Sequence, residues 1–301
     1  MTLQLVARME PRTESPEQSQ WNLHSRLAAF NACRLKPGYA GSNWRGELGE
    51  EYQSRVEEAG FVEGECSAVQ TALRDLPEDQ HGFMLWFEAL RERGPGQGDP
   101  LFRWLAEHAS RAQMRWFLMQ EIAGEAGFDD LVALTQVRFP IRAKLEMVRN
   151  YWDEMGRGYE RGMHGPMLDR AAQELDVSPT PRATVWESLA VANLMAALAA
   201  NRRYAYQSVG ALGVIEMTAP GRVAKVNDGL RRLGISQSGR QYFQLHAGLD
   251  VRHSAAWNAE VIAPLVASEP RCARPIAEGA LLRLIAGSRC FARYRREFGL
   301  D

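Results

Sequence analysis

The stretch Tyr242-Phe-Gln-Leu-His246-Ala-Gly-Leu-Asp250-Val-Arg-His253-Ser-Ala-Ala-Trp257 carries two imidazoles and a carboxylate at steps of four and three residues. On a helix of 3.6 residues per turn, Asp250 falls about 40° and His253 about −20° around the axis from His246, so the three share a face. Such a mixture of nitrogen and oxygen donors suits a borderline divalent ion such as iron, manganese or zinc better than magnesium. Taken alone, the same spacing also describes a solvated polar face or a pair of core histidines. The chain has only six histidines, His24, His81, His108, His164, His246 and His253, so their concentration in a few helices is informative.

A second group lies in Asn150-Tyr-Trp-Asp-Glu154-Met-Gly-Arg-Gly158-Tyr-Glu-Arg-Gly-Met-His164, which offers Glu154 and His164. Ten residues correspond to about −80° on an ideal helix, a poor match. Gly156, Gly158 and Gly162 intervene, and each costs about 1 kcal/mol relative to Ala inside a helix. Either a distorted helix or very close packing brings the two side chains together, or the helix ends at Gly156 and His164 sits in an unrelated loop. Glu216, within Gly210-Ala-Leu-Gly-Val-Ile-Glu216-Met-Thr-Ala-Pro220, is a lone acid among small and apolar residues. Its burial is expensive unless it is paired or bound to a cation, although a position near Pro220 also allows simple solvation. Glu121, with Glu125 one turn later, flanks an apolar helix, where an ordinary exposed acidic pair is the equal alternative.

The elements that must position these residues read as helices. An apolar helical period runs from Trp21 to Leu35 and stops at Lys36-Pro37-Gly38, after an arm of residues 1–20 that lacks the apolar core of a signal peptide. Further pieces are expected at 47–60, 64–75 and 79–93. Gly94-Pro-Gly-Gln-Gly-Asp-Pro100 then breaks the pattern, placing a boundary between an N-terminal helical extension, 1–94, and a main domain, 95–301. Beyond it helices are expected at 100–108, 111–126, 141–154, 184–217 with an interruption near Asn201, 222–233, 237–257 and 274–298. Strand-like alternation is nearly absent, so the fold class is all-α, a helical bundle.

With 36 Lys+Arg against 37 Asp+Glu the formal net charge is −1, and no global field advertises nucleic acid or a membrane. The basic run Phe291-Ala-Arg-Tyr-Arg-Arg296 complements the end of the last helix without any partner. No run approaches the ~18 apolar residues of a membrane span. Cys33, Cys66, Cys272 and Cys290 are widely spaced with no C-x-x-C pair, which points to reduced thiols and a cytoplasmic location.

Glu-x9-His, a Glu about fifty residues on, then His-x3-Asp-x2-His about thirty residues later: together these resemble the haem-oxygenase-like di-iron oxidases, often called iron-containing redox enzymes. The resemblance covers roughly residues 100–298, including the Asn-Tyr-Trp-Asp-Glu-Met-Gly-Arg-Gly run and Gly-Leu-Arg-Arg-Leu-Gly at 229–234. It implies a haem-oxygenase-like bundle in which Glu154, His164, Glu216, His246, Asp250 and His253 ligate two iron ions. An additional carboxylate found in N-oxygenating members maps to Glu121, with Glu125 the competitor, and Glu121, Glu154 and Glu216 are the carboxylates expected at the reacting centre. Dioxygen is then co-substrate and an external electron donor is required. N-oxygenation of a small amine or guanidine-like substrate in a biosynthetic pathway is the favoured reaction, because Glu121 supplies the extra acid and Glu125, Asp129, Asp130 and Glu146 offer acids to meet a cation. The alternatives are oxidative decarboxylation or C–C cleavage of a fatty acid or amino acid, and, in another class, a non-catalytic helical binding module. A zinc hydrolase is disfavoured by the acid-rich ligand set and the lack of an H-E-x-x-H helix. Trp116, Phe117, Trp152, Tyr204 and Tyr206 are candidates for a pocket lining or, more ordinarily, for core. The expected partners are a small-molecule substrate and an electron donor, with no nucleic acid and no membrane, and a homodimer is implied by the resemblance.

Overall fold

A computed structural model describes residues 14–125 and 127–301, with Glu125 described for its backbone only. Thirteen α-helices are found among the described residues: α1 Pro16–Leu35, α2 Trp44–Val69, α3 Gln80–Arg93, α4 Pro100–Glu107, α5 Arg111–Glu125, α6 Phe128–Thr135, α7 Ile141–Glu154, α8 His164–Glu174, α9 Trp186–Ala200, α10 Ala205–Arg232, α11 Gln241–Trp257, α12 Ala263–Ser268 and α13 Ala273–Phe298. No strand occurs among them, so the all-α expectation holds. None of these helices is long and apolar enough to cross a membrane.

The centre of the bundle is α10, packed along α11 and α13 and crossed by α4. Small residues let it come close: a Cβ on Gly210 would lie 1.8 Å from the Ile276 carbonyl oxygen, and one on Gly279 would lie 1.9 Å from that of Gln207. The α10 and α13 backbones therefore touch where any side chain would hold them apart. One buried cluster continues from Val62, Leu73, Phe83 and Phe87 of the N-terminal helices into Leu101, Phe117, Leu212, Trp257 and Tyr294. Polar contacts fasten α1 and α2 to the same body, with Asn31 Nδ2 donating to Asn193 Oδ1 (2.9 Å) and Arg34 paired with buried Glu58 (2.6 Å).

Several boundaries differ from the sequence reading for identifiable reasons. α1 begins inside the expected arm, because Ser15 accepts from the Gln18 amide (3.2 Å) and Pro16 fits the first helical position. Residues 1–13 of that arm lie outside the described residues. The pieces at 47–60 and 64–75 are one helix, α2, closed by a 3₁₀ turn at 70–73; burial of Val62, Cys66 and Val69 outweighs the glycine cost. The break at Asn201 is real: its backbone is extended, and its side chain donates to the Ala197 carbonyl (2.9 Å) and to Glu58 (2.8 Å). By contrast α10 runs straight through Pro220, where two helices were expected. Proline removes one hydrogen bond, to the carbonyl four residues back, which is that of Glu216. Packing on α11, α13 and α4 holds the helix on both sides of that gap. The helices α6, α8 and α12 were not anticipated.

Candidate metal centre

Glu154, His164, Glu216, His246, Asp250 and His253 are all buried. They come from the C-terminal end of α7, the first residue of α8, the middle of α10 and one face of α11.

The segment joining Glu154 to His164 is neither a continuous helix nor an unrelated loop. Two 3₁₀ turns, 156–158 and 160–162, reverse the chain with left-handed backbone at Gly156 (φ 60°), Arg157 (φ 55°) and Gly158 (φ 86°). Met155 then pairs with Met163 in an isolated antiparallel bridge. Gly156 rests on the Gly162 backbone so tightly that a Cβ there would lie 2.3 Å from the Gly162 carbonyl carbon. Closure of this loop leaves His164 Nδ1 2.6 Å from Glu154 Oε2.

Two groups of ligand atoms result, each with its members within 4.8 Å of one another: Glu154, His164 and His246, and Glu154, Glu216 and His253. Glu154 belongs to both. The imidazoles are oriented from behind. His246 Nδ1 donates to the Tyr242 carbonyl one turn earlier (2.9 Å), which leaves Nε2 with a free lone pair, and its ring meets that of His164 edge to face at 4.6 Å. His253 Nε2 lies 3.0 Å from Asp153 Oδ2, and its Nδ1 faces Glu216 Oε2 at 3.5 Å. The other Glu216 oxygen accepts from Asn150 Nδ2 (2.6 Å), and Arg157 Nε donates to the second Asp153 oxygen (2.6 Å). Glu216 is thus a partnered interior acid and not a solvated one.

Burial pulls His164 down to about 4, helped by the charge on His253, and pulls His246 down to about 4, helped by His164. Both rings are neutral near pH 7, as metal ligation requires. For His253 burial acts in the same direction, but hydrogen bonding and attraction from Glu216, with Asp153, outweigh it and lift the ring to about 9. Asp153 is held below the usual carboxylate range despite its partial burial, by Arg157 and His253. The neutral imidazoles of His164 and His246, the converging carboxylates and the backing hydrogen bonds fit iron, whose preferred donors are of these two kinds, and His253 would give up its proton on ligation.

A cavity of about 110 Å³ adjoins these candidate ligands. Glu154, Glu216, His246 and Asp250 form one wall, and apolar side chains such as Phe117, Ile122, Leu168 and Phe243 much of the rest. Glu121 also lines it and accepts from Tyr294 Oη (3.0 Å), so it shares the cavity while standing outside the two ligand groups found among the described residues. The side chain of Glu125 lies outside the described residues. Asp129, Asp130 and Glu146 are not part of the cavity wall, and Glu146 pairs with Arg149 (2.8 Å). Of the candidate aromatics only Phe117 lines the cavity; Trp116 packs edge-on against Tyr294, and Trp152 is exposed.

The family model for iron-containing redox enzymes matches residues 115–288. The chain belongs to the iron-containing redox enzyme family. The match spans Glu121, Glu154, His164, Glu216, His246, Asp250 and His253, and makes the protein an oxidoreductase of haem-oxygenase-like, helical architecture. No curated protein matches the sequence.

Sequence reasoning missed Asp153, Asn150 and Tyr242 as supports, and the two arginines of the cavity wall, Arg222 and Arg283. Tyr242 carried a usable signal, since it sits four residues before the candidate ligand His246 on the same helix, whereas Asn150 holds Glu216 from another helix. Asp153 carried none, because its partner is 100 residues away.

Proposed function

We propose that this iron-containing redox enzyme is an O2-dependent di-iron oxidase acting on a small organic substrate. The observation that carries the reading is Glu154, one buried carboxylate common to two ligand groups, which is how paired metals are bridged in carboxylate-rich helical bundles. Asp250, on the same face of α11 as His246 and His253, lines the cavity wall beside His246. Bound iron would supply the redox chemistry that activates dioxygen, with electrons from an external donor. The chain's own part is to hold and exclude. Tyr242 and Asp153 fix the ring orientations of His246 and His253, Asn150 holds Glu216, and the apolar wall keeps the reacting centre dry.

N-oxygenation of a small amine is favoured by Glu121, whose carboxylate in the cavity wall suits an ammonium or guanidinium group. A second reading, oxidative C–C cleavage or decarboxylation of a small acid, is favoured by Arg222 and Arg283 in the same wall. Anaerobic loading with ferrous iron followed by an oxygen pulse tests the assignment. The expected result is about two irons per chain, sharply reduced binding in His253→Ala, and oxygen consumption linked to one substrate class. Oxidised nitrogen products would select the first reaction, and released carbon dioxide or a shortened chain the second. Failure to take up iron, or one iron unaffected by His253→Ala, would end the di-iron reading.

A further inference from the structure

The two arginines stand out electrostatically. Both are half-buried, and taking even part of a guanidinium out of water is costly unless an anion accompanies it. Arg222, on α10, reaches only neutral partners: its Nη2 donates to Thr218 Oγ1 (3.3 Å), and the Gln97 amide oxygen accepts from Nη1 (3.3 Å) once that amide is turned to present it. Its guanidinium lies over the rings of Phe102 and Phe291, 5.8 and 5.5 Å from their centroids. Arg283, on α13, has a buried Nε with no hydrogen-bond partner. Among the described residues neither arginine forms an ion pair, and burial together with the charge of Arg283 pulls Arg222 down to about 10, still cationic near neutrality. Glu121 offsets part of the charge on Arg222 without pairing with it among the contacts seen.

Their position gives these charges a use. Phe102 and Arg222 line both the inner cavity and a second, outer pocket of about 350 Å³. That outer pocket also carries Arg91 and Lys225, both exposed, while its one carboxylate, Asp99, is tied to Arg295. An anion approaching from outside therefore meets cations along its route, then a Phe102–Arg222 partition, then Arg283.

We infer that Arg222 and Arg283 form a carboxylate-binding subsite that admits a small organic acid through the outer pocket and anchors it with its far end against the metal ligands. The anchor deepens the proposed function by naming the substrate class, and rests on that reading only for what happens at the far end. Size follows from the cavity: a dry hole of about 150 Å³ takes the six carbons of benzene, so about 110 Å³ suits an acid of roughly four to five non-hydrogen atoms. Two guanidinium groups supply forked N–H donors matched to a carboxylate.

The experiment is equilibrium binding of acetate, propanoate and butanoate, each against its primary amide, to the full-length protein kept metal-free with chelator. The acids should bind roughly tenfold or more tightly than the amides. Arg283→Met and Arg222→Gln should each erase most of that preference, while Arg283→Lys, which keeps the charge but not the fork, should retain part of it. Arg283→Met should also leave the melting temperature of the empty protein unchanged or raised, because it keeps the apolar stem and removes a half-buried charge that has no ion pair among the described residues. Equal binding of acids and amides, no binding of any acid, or full acid preference in Arg283→Met would overturn the subsite. Iron titration of the same proteins separates the two claims. Acid binding without iron uptake leaves the subsite standing and removes the di-iron reading, and iron uptake with no acid binding does the reverse.

Discussion

Replacing Gly156 by alanine isolates the loop that brings Glu154 to His164. At φ 60° an L-residue pays about 1–2 kcal/mol for left-handed backbone. The added Cβ would also lie 2.3 Å from the carbonyl carbon of Gly162 and 2.5 Å from the Met163 nitrogen, both main-chain atoms that cannot rotate away. Normal carbon contacts are about 3.5–4.0 Å, so the two sides of the loop must part by roughly 1 Å, at an overpacking cost of about 1–3 kcal/mol. The expected destabilisation of the metal-free protein is therefore about 2–5 kcal/mol. The same displacement separates Glu154 Oε2 from His164 Nδ1, now 2.6 Å apart, by far more than the ~0.2 Å that metal sites tolerate. Urea unfolding of the metal-free variant, with anaerobic ferrous titration against a competing chelator, measures both effects. Iron affinity should fall at least about 100-fold at the group containing His164, while helix content is kept. Gly165→Ala is the control, since a Cβ there meets nothing within 4 Å. A Gly156→Ala protein within about 0.5 kcal/mol of the parent and with unchanged iron uptake would show that the loop does not set the geometry.

Asp153→Asn should weaken iron binding by about 10–100-fold while Asp153→Glu recovers part of it, because the carboxylate orients His253 from 3.0 Å away; equal affinity across all three would remove that role. His24, on α1, buried between Phe61 and Trp186 and pulled down to about 4 by burial, with Arg289 helping, gives a pH signature remote from the candidate metal centre. Its folded-state pKa lies below the ordinary 6.5, so the stability it contributes is fully present above pH 6.5 and is lost as pH falls toward 4, by about 3 kcal/mol in all. The stability–pH slope over that window should shrink in His24→Phe, and an unchanged slope would exclude His24 as its source. Gly210→Ala should cost about 2–4 kcal/mol by forcing α10 off α13, whereas Gly60→Ala, with open space around its Cβ, should stabilise by about 0.5–1 kcal/mol; chemical denaturation compares them directly.

What the sequence determined alone was whatever depends on neighbours along the chain. His246, Asp250 and His253 share a buried face because helical period is local, and most of the expected helices formed because their apolar spacing could be satisfied in one way. Glu216 was legible as an anomaly, an acid too costly to bury unaccompanied, though not which side chains accompany it. Tertiary structure decided the rest. Glu154 and His164 meet through left-handed turns and a backbone contact between Gly156 and Gly162, features to which glycine spacing points without fixing the path. α10 survives Pro220 because α11, α13 and α4 hold both of its halves, a sum of packing that no local rule contains. Asp153 finds His253 across 100 residues, and Arg222 and Arg283 face one cavity from two different helices. Charge placement of this kind is set by the packing angles of whole helices, so it becomes visible only once the chain has closed around its interior.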